Sequence, residues 1–459
     1  MRSLLLASIL FACFADARAD PFDPDRWLRH VREDLLRYWD HPDAVGSPPG
    51  AFASRRCNDG TAFNADAPCP EIDAIPWVRK DRQSIVALSR QIYAYGVAFH
   101  MTGEPRYLEL AEAGARHQLT HMSDPKSGLF FEWLTADNRP EGPVDQQRSQ
   151  VQAYTLLGLS FLYYLTGNED YLRDILRVHK LFKTRYLDEK RGHYRLPGDD
   201  AEKLASQLDH LNAYMRLITP LLSSDERKIW TAEMLRIAEV LKSDFFLAEE
   251  GVFRNSLSEA GFDYGHSIKA FWFIRMAGSL SGRLDLIDWS EHHGRSLLDL
   301  AFQEEAGTWA SGLTEDDQVD PKALSWIHAE LDQFAASISI EDDTVNPYLR
   351  AAYGFWLNSF VDRDHGGIWN DVDLQTGTPG TVPPKHWPWK AGYHSFEHAL
   401  VAYVAAGAVA SRPVRLFYAR DDLDEAQPYY FRAAEKQVTE VKRSDLRQIQ
   451  AVDFSGITW

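Results

Sequence analysis

The sequence predicts an all-α chain folded as an (α/α)6 barrel, a ring of six helical hairpins, with a small strand-rich appendage at its C-terminus. Three observations carry that expectation: a turn motif recurring at near-constant spacing, long amphipathic stretches between its copies, and a switch to short alternating segments after Arg412.

The motif is an acidic turn, then glycine, then an aromatic residue. It occurs as SDPKSGLFF, LDEKRGHYR, AEEGVFRN, EEAGTWAS and RDHGGIWND, around Gly128, Gly192, Gly251, Gly307 and Gly367. The glycines stand 64, 59, 56 and 60 residues apart. Such a period accommodates two helices of roughly 20 residues and their connections, so each repeat reads as a helical hairpin. TGEPRYL at Thr102 and TGNEDYL at Thr166 share the first 64-residue offset and mark the tight turn inside a hairpin.

Apolar periodicity and helix-end signals place helices at 24–40, 79–102, 104–121, 146–166, 168–185, 203–220, 225–244, 264–280, 285–304, 321–338, 345–361 and 389–409. Pairing the first with the last closes the ring and removes both uncapped ends that an open solenoid would leave. The barrel is thus expected over 20–411. Beyond it, LFYA, PYYFRA, KQVTEVKR and IQAVDF read as strands of a structural appendage, 412–459. The long connectors 134–147 and 370–388 are expected to edge the barrel mouth.

Residues 1–19 read as a signal peptide: Arg2, the apolar run Leu4 to Phe14, and the small-residue site Ala17-Arg18-Ala19. A secreted or periplasmic location follows, with no membrane association after cleavage, because the apolar run is too short to span a bilayer. The net charge of −18 becomes −19 without the leader, whose Arg2 and Arg18 against Asp16 carry +1. A surface so acidic repels phosphate backbones and excludes nucleic acid as an expected partner. Outside the leader only Cys57 and Cys69 remain, twelve residues apart in a turn-rich segment. An exported chain is expected to join them in a structural disulfide; two cysteines without nearby histidines are too few ligands for a metal.

In a helical ring, one helix of each pair lines the inside. Polar candidates fall on alternate helices: Arg90; Gln150 and Gln152; Asn212 and Arg216; His266 and Lys269; Trp326 and Glu330; Trp389, His394 and Glu397. Spacings of three or four within a helix put the paired candidates on one face. A lone histidine in an apolar helix, as in FDYGHSIKAFWFIR, is more often a satisfied core residue. The segment PPKHWPWKAGYHSFEHAL, with three histidines, two tryptophans and two lysines at a helix start, is harder to explain by packing.

With these segments in view, the chain resembles the N-acylglucosamine 2-epimerase superfamily, which includes cellobiose 2-epimerases and mannose isomerases. SRQIYAY at Arg90, NAYMR at Asn212, YGHSIKAFW at His266, WIHAE at Trp326 and WPWKAGYH at His394 carry the resemblance, in order over about residues 80 to 410. It implies an (α/α)6 barrel and a C2 epimerase or isomerase acting on a reducing-end aldose, the substrate being a mono- or oligosaccharide. His266 and His394 would be the proton-transfer pair, imidazole being suited by its near-neutral pKa. Arg90 would face the enediolate oxyanion, Trp326 and Trp389 would stack on sugar rings, and Glu330 would bind hydroxyls. Asn212, Arg216, Lys269 and Glu397 complete the expected substrate-binding set. No metal or organic cofactor is implied.

Three positions depart from the family pattern: Arg216 where a histidine is common, Lys269 where glutamate is usual, and Glu397 where arginine is frequent. One economical expectation is that Lys269 and Glu397 pair across the barrel with reversed polarity. His266 would then gain a cationic neighbour and act as base, and His394 an anionic one and act as acid. Three other readings stand beside this one. A glycoside hydrolase would use paired carboxylates, Glu330 with Asp263 or Asp209. A carbohydrate-binding relative would have lost turnover through Arg216 and Lys269. A zinc peptidase would use His394-Ser-Phe-Glu397-His398, which matches H-x-x-E-H.

Overall fold

A computed structural model describes residues 20–76, 81–195, 202–443 and 448–459. The signal-peptide expectation, 1–19, lies outside the described residues, as does the start of the helix expected at 79–102.

Six inner helices form the ring. They are Ile85–Thr102, Ser149–Thr166, Leu204–His210 continued through a π-helical turn to Ile218, Tyr264–Ser281, Ser325–Ser339 and Tyr393–Val409. Each packs against the next, and Tyr393–Val409 returns to Ile85–Thr102, so the ring is closed. At the seam the rings of Tyr93 and Tyr393 lie 5.1 Å apart. These helices are apolar nearly all round because they are covered on both sides; every residue of Ile85–Thr102 is buried.

The outer helices carry a single apolar stripe. Glu169–Arg185 buries Tyr171, Ile175, Val178 and Phe182, spaced by four, three and four. Its Asn168 cap accepts the Asp170 amide, acidic residues open it, and Lys183 and Arg185 close it against the helix dipole. The first helix, beginning Pro24–Arg29, packs on Tyr393–Val409 as the sixth outer helix.

All five motif glycines sit in the left-handed region, with φ of +75° at Gly128 and Gly192, +70° at Gly251, +64° at Gly307 and +76° at Gly367. A side chain would strain each turn. Three of the turns close two-residue strand pairs, such as Leu187–Asp188 with His193–Tyr194, and the other two close single bridges, Ser123 with Phe130 and Val361 with Ile368. The turn therefore returns the chain from an outer helix to the start of the next inner one.

Some inner helices start later than the periodicity predicts. Arg82–Ser84 and Lys322–Leu324 are strands, paired with Trp133–Thr135 and Asp371–Asp373 of the two long connectors. Cross-strand pairing at the rim takes the backbone groups that a first helical turn would have used.

The C-terminal region is a three-stranded antiparallel sheet, with Gln448–Thr458 between Val414–Tyr418 and Arg432–Arg443. It caps the end of the ring where the inner helices finish: the Phe417 carbonyl meets His100 Nδ1 at 2.9 Å, and the Tyr418 and Tyr164 hydroxyls meet at 2.9 Å. Tyr429, in a connecting loop, reaches inward to the Tyr93 hydroxyl at 2.9 Å. Cys57 and Cys69 form the expected disulfide. No helix among the described residues is long and apolar enough to cross a membrane.

Candidate active site

The other end of the ring, where the inner helices begin, holds a cavity of about 430 Å³. Early positions of the inner helices supply most of its wall: Arg90, Gln150 and Tyr154, His266 and Lys269, Trp326, and His394. The rim segment before the last helix adds Asn370, Trp387, Trp389 and Lys390. A larger hollow of about 560 Å³ lies between the 47–55 and 62–68 segments and the strands at 82 and 135. None of the sequence-derived sugar-site candidates lines it, so we place the chemistry in the smaller cavity.

His266 is fixed by its helix start. Asp263 caps the helix by accepting the His266 amide at 2.7 Å, and its second oxygen meets His266 Nδ1 at 2.7 Å. The outer ring nitrogen is thereby left toward the cavity. The neighbouring Gly265 makes room for Trp326, whose ring atoms would lie 2.6 Å from a Cβ at that position. The Trp326 indole consequently stands between the two histidines, 4.9 Å from the His266 ring and 6.0 Å from that of His394.

Burial alone would lower the pKa of His266, but Asp263, by charge and hydrogen bond, and Asp209 outweigh it together, so the pKa is raised. His394 is the opposite case: burial, then Arg90, Lys269, Lys390 and His266, hold its pKa well below the ordinary histidine value. This reverses the direction expected from a Lys269–Glu397 swap. Lys269 Nζ meets Asp209 Oδ1 and Glu330 Oε1, both at 3.5 Å, and forms no ion pair with Glu397 among the described residues. Burial works against its charge, yet Tyr154, Glu330, Asp209 and Glu397 together raise its pKa. Glu397 instead accepts the Tyr429 hydroxyl at 2.5 Å, so it is not turned to His394.

Beneath the cavity lies a supporting polar layer. Asp209 accepts Gln150 Nε2 at 2.8 Å and the Tyr154 hydroxyl at 3.1 Å, Glu330 also stands 3.5 Å from His394 Nε2, and Asn212 accepts the Tyr393 hydroxyl at 2.8 Å. The carboxylates proposed for hydrolysis are thus engaged with cations and hydroxyls: Asp263 with His266, and Asp209 and Glu330 around one lysine. Asn212, Glu330 and Glu397 are buried and do not line the cavity wall. Arg216 departs furthest from expectation. It lies at the capped end, donating to the Tyr430 carbonyl at 3.0 Å, because the C-terminal loop meets it there.

Arg90 donates to the Trp389 carbonyl and stacks its guanidinium 4.4 Å from the Tyr154 ring centre. Lys390, which sequence reasoning counted but assigned no role, lines the cavity and donates to Ser325 Oγ at 3.0 Å. Burial, helped by Lys385 and opposed by Asp371, brings its pKa down to about 7. Tyr154 was missed as well, although it stands one turn after Gln150 on the same inner face. The H-x-x-E-H match separates in space: His394 faces the cavity, while His398 Nε2 is bound to Asp332 at 2.8 Å inside the helical wall. Those two histidines do not converge on one metal position.

A closed ring of helical hairpins, with two histidines, a tryptophan between them and several cations at one mouth, defines an (α/α)6-barrel protein with a small-molecule cavity. The sequence profile of the N-acylglucosamine 2-epimerase (GlcNAc 2-epimerase) family matches residues 73–398, and the chain belongs to that family. Its membership places the chain among isomerase-class enzymes. Among solved structures, it is similar to cellobiose 2-epimerase from Spirochaeta thermophila DSM 6192, with 18% identity, a TM-score of 0.70, and 84% of this chain and 97% of that one covered. Cellobiose 2-epimerase from Bacillus thermoamylovorans B4167 aligns at 16% identity and TM-score 0.68, covering 83% and 98%. A D-mannose isomerase aligns at 14% and 0.68, also covering 83% and 98%. At such identities these structures speak for the fold.

Proposed function

We propose that the protein is an exported sugar epimerase or isomerase that exchanges the C2 proton of a reducing-end aldose through an enediolate. The observation that carries this reading is the opposed electrostatics of two histidines facing one cavity. His394, buried and with Arg90, Lys269 and Lys390 outweighing Glu330 at 3.5 Å, is biased to the neutral ring that can take a proton; His266, bound to Asp263, is biased to the imidazolium that can give one. Base and acid are therefore assigned as His394 and His266.

Arg90 and Lys269 bring positive charge to the cavity and Lys390 a donor at its rim, which suits an oxyanion developing on O1 or O2. Trp326 offers an apolar face between the histidines, and the half-exposed Trp389 a second one at the rim, for the rings of a mono- or oligosaccharide. The cavity volume falls within the range of small-molecule sites. The leader-like residues 1–19 and the disulfide support a secreted or periplasmic setting.

Incubation with mannose, glucose, cellobiose and mannobiose in deuterated water, followed by NMR, tests the reading. Deuterium at C2 together with an epimer or ketose is expected. Cleavage of a disaccharide without C2 exchange would overturn it in favour of hydrolysis, and binding without either change in favour of a non-catalytic relative.

A further inference from the structure

Where the capped end of the ring meets the C-terminal sheet, a second cavity of about 200 Å³ remains. Three arginines from separate elements line it: Arg216 of an inner helix, Arg227 of the outer helix Ser224–Val240, and Arg432 at the start of a strand. Some partly buried arginines of this acidic chain are matched to carboxylates, as Arg275 is to Glu291 at 2.6 Å and Arg236 to Glu233 at 2.6 Å, while others, such as Arg56 and Arg90, bond to carbonyl oxygens. None of these three has a carboxylate at ion-pair distance among the described residues. Their hydrogen bonds go to neutral oxygens: Arg216 to the Tyr430 carbonyl, Arg227 to those of Pro220 and Leu222, and Arg432 to Ser279 Oγ.

That arrangement leaves positive charge uncompensated. The Nε groups of Arg216 and Arg227 are shielded from solvent and have no hydrogen-bond partner. Burial, with the like charge of Arg432, brings the Arg216 pKa down to about 10 against the opposing effect of Tyr430. Glu425 also borders the cavity, at an exposed position, and forms no ion pair with any of the three arginines among the described residues. Shielded guanidinium groups without a counter-charge are costly; an anion carrying several acceptor oxygens would relieve that cost at Arg216 and Arg227, with the exposed Arg432 reaching it from the rim.

We propose that this cavity binds a phosphate-class tetrahedral oxyanion, either free or as a small monoester. Guanidinium forks match such an anion in geometry, and the three donors approach from two sides of the seam, so the ligand would tie the sheet to the barrel. The occupant would also rest beside Tyr430, which stacks on Tyr429 at 3.8 Å, the residue whose hydroxyl holds Glu397. The site is distinct from the sugar cavity and does not depend on the reaction assigned there.

Calorimetry of the full-length mature protein with inorganic phosphate and, in parallel, glucose 1-phosphate tests it at constant ionic strength, with chloride as control. One saturable site is expected for at least one probe. Tighter binding of inorganic phosphate identifies the free anion, and tighter binding of the ester a monoester. Arg432→Gln, at an exposed position, and Arg216→Met should each weaken binding about tenfold or more, equivalent to about 1.4 kcal/mol. His394→Asn should leave it unchanged, which keeps the result separate from the fate of the epimerase reading. Absence of saturable binding of both probes up to about 10 mM, well above a Kd of about 1 mM, overturns the proposal. So does binding that is unchanged in Arg432→Gln, or displaced by a sugar substrate.

Discussion

His266 at the mouth and His398 in the wall each meet a carboxylate at nearly the same distance, 2.7 Å from Asp263 and 2.8 Å from Asp332. Their surroundings differ. His266 keeps part of its ring open to the cavity, and its pKa is raised because Asp263 and Asp209 overcome its burial. His398 is sealed between Trp27, Tyr353 and Trp356, with ring distances of 5.2, 5.7 and 4.2 Å, and there burial prevails over Asp332 and lowers its pKa. Asp332 is also shared with His328 and the Trp309 indole N–H. A histidine–carboxylate pair is thus not a functional mark in itself. Access to a cavity separates a candidate acid from a packed core histidine; a free ring nitrogen does not, since His398 Nδ1 is also without a partner but sealed in the wall.

The largest effect that sharpens this contrast is expected at the mouth. His394→Asn and His266→Asn should each lower C2 exchange by about 10³-fold, the scale of a lost general acid or base, while circular dichroism and the melting transition stay close to wild type. Retained exchange in either variant would break the proton-transfer assignment. In the wall the order reverses. Asp332→Asn removes the charge and replaces one of the two oxygens shared by His328, His398 and Trp309 with an amide donor, and should cost about 3 kcal/mol in urea unfolding, with kcat of the folded protein little changed. A stable Asp332→Asn protein that had lost turnover would instead move the wall cluster into the catalytic machinery.

A subtler test acts on the pH profile. Exchange requires neutral His394, so activity falls as pH drops through its lowered pKa; it also requires protonated His266, so activity falls as pH rises through its raised one. Asp263→Asn removes the foremost influence that raises His266. The alkaline limb of kcat/KM should then move down by about one pH unit, with the acid limb in place. Movement of the acid limb instead would exchange the roles of the two histidines.

These distinctions were unevenly legible in the sequence. The ring was readable because its turns demand positive φ at Gly128, Gly192, Gly251, Gly307 and Gly367, a constraint that selects the residue type directly. His266, Trp326, His394 and Arg90 were readable through the family resemblance, one segment per repeat; helical spacing placed only pairs such as His266 and Lys269 on one face. Partners were not. Lys269 meets Asp209 and Glu330 from two other helices, and nothing local to Lys269 distinguishes them from Glu397. Arg216 shares the inner-face spacing of Asn212 but is drawn to the capped end by Tyr430, more than 200 residues away in sequence. His394 and His398 are one turn apart, yet opposite packing environments split the H-x-x-E-H pattern that their spacing suggested.

The smallest expected effect concerns the capped end, where Tyr429 adopts φ +63° and donates to Glu397. Burial, reinforced by Glu330, pushes the Glu397 pKa up to about 7, against the Tyr429 and Tyr393 hydrogen bonds and the charge of Lys269. Over the interval from the ordinary value of 4.5 to about 7, the folded chain retains a proton that the unfolded chain has released. Stability contributed by this group therefore falls as pH rises through that window. Tyr429→Phe removes a donor that favours the ionised carboxylate, so the variant should lose about 1 kcal/mol at pH 8 and less at pH 5. Urea unfolding at the two pH values reads the difference directly. An equal loss at both would mean that Tyr429 serves only to pack the C-terminal loop, and that the capped end is electrostatically separate from the mouth.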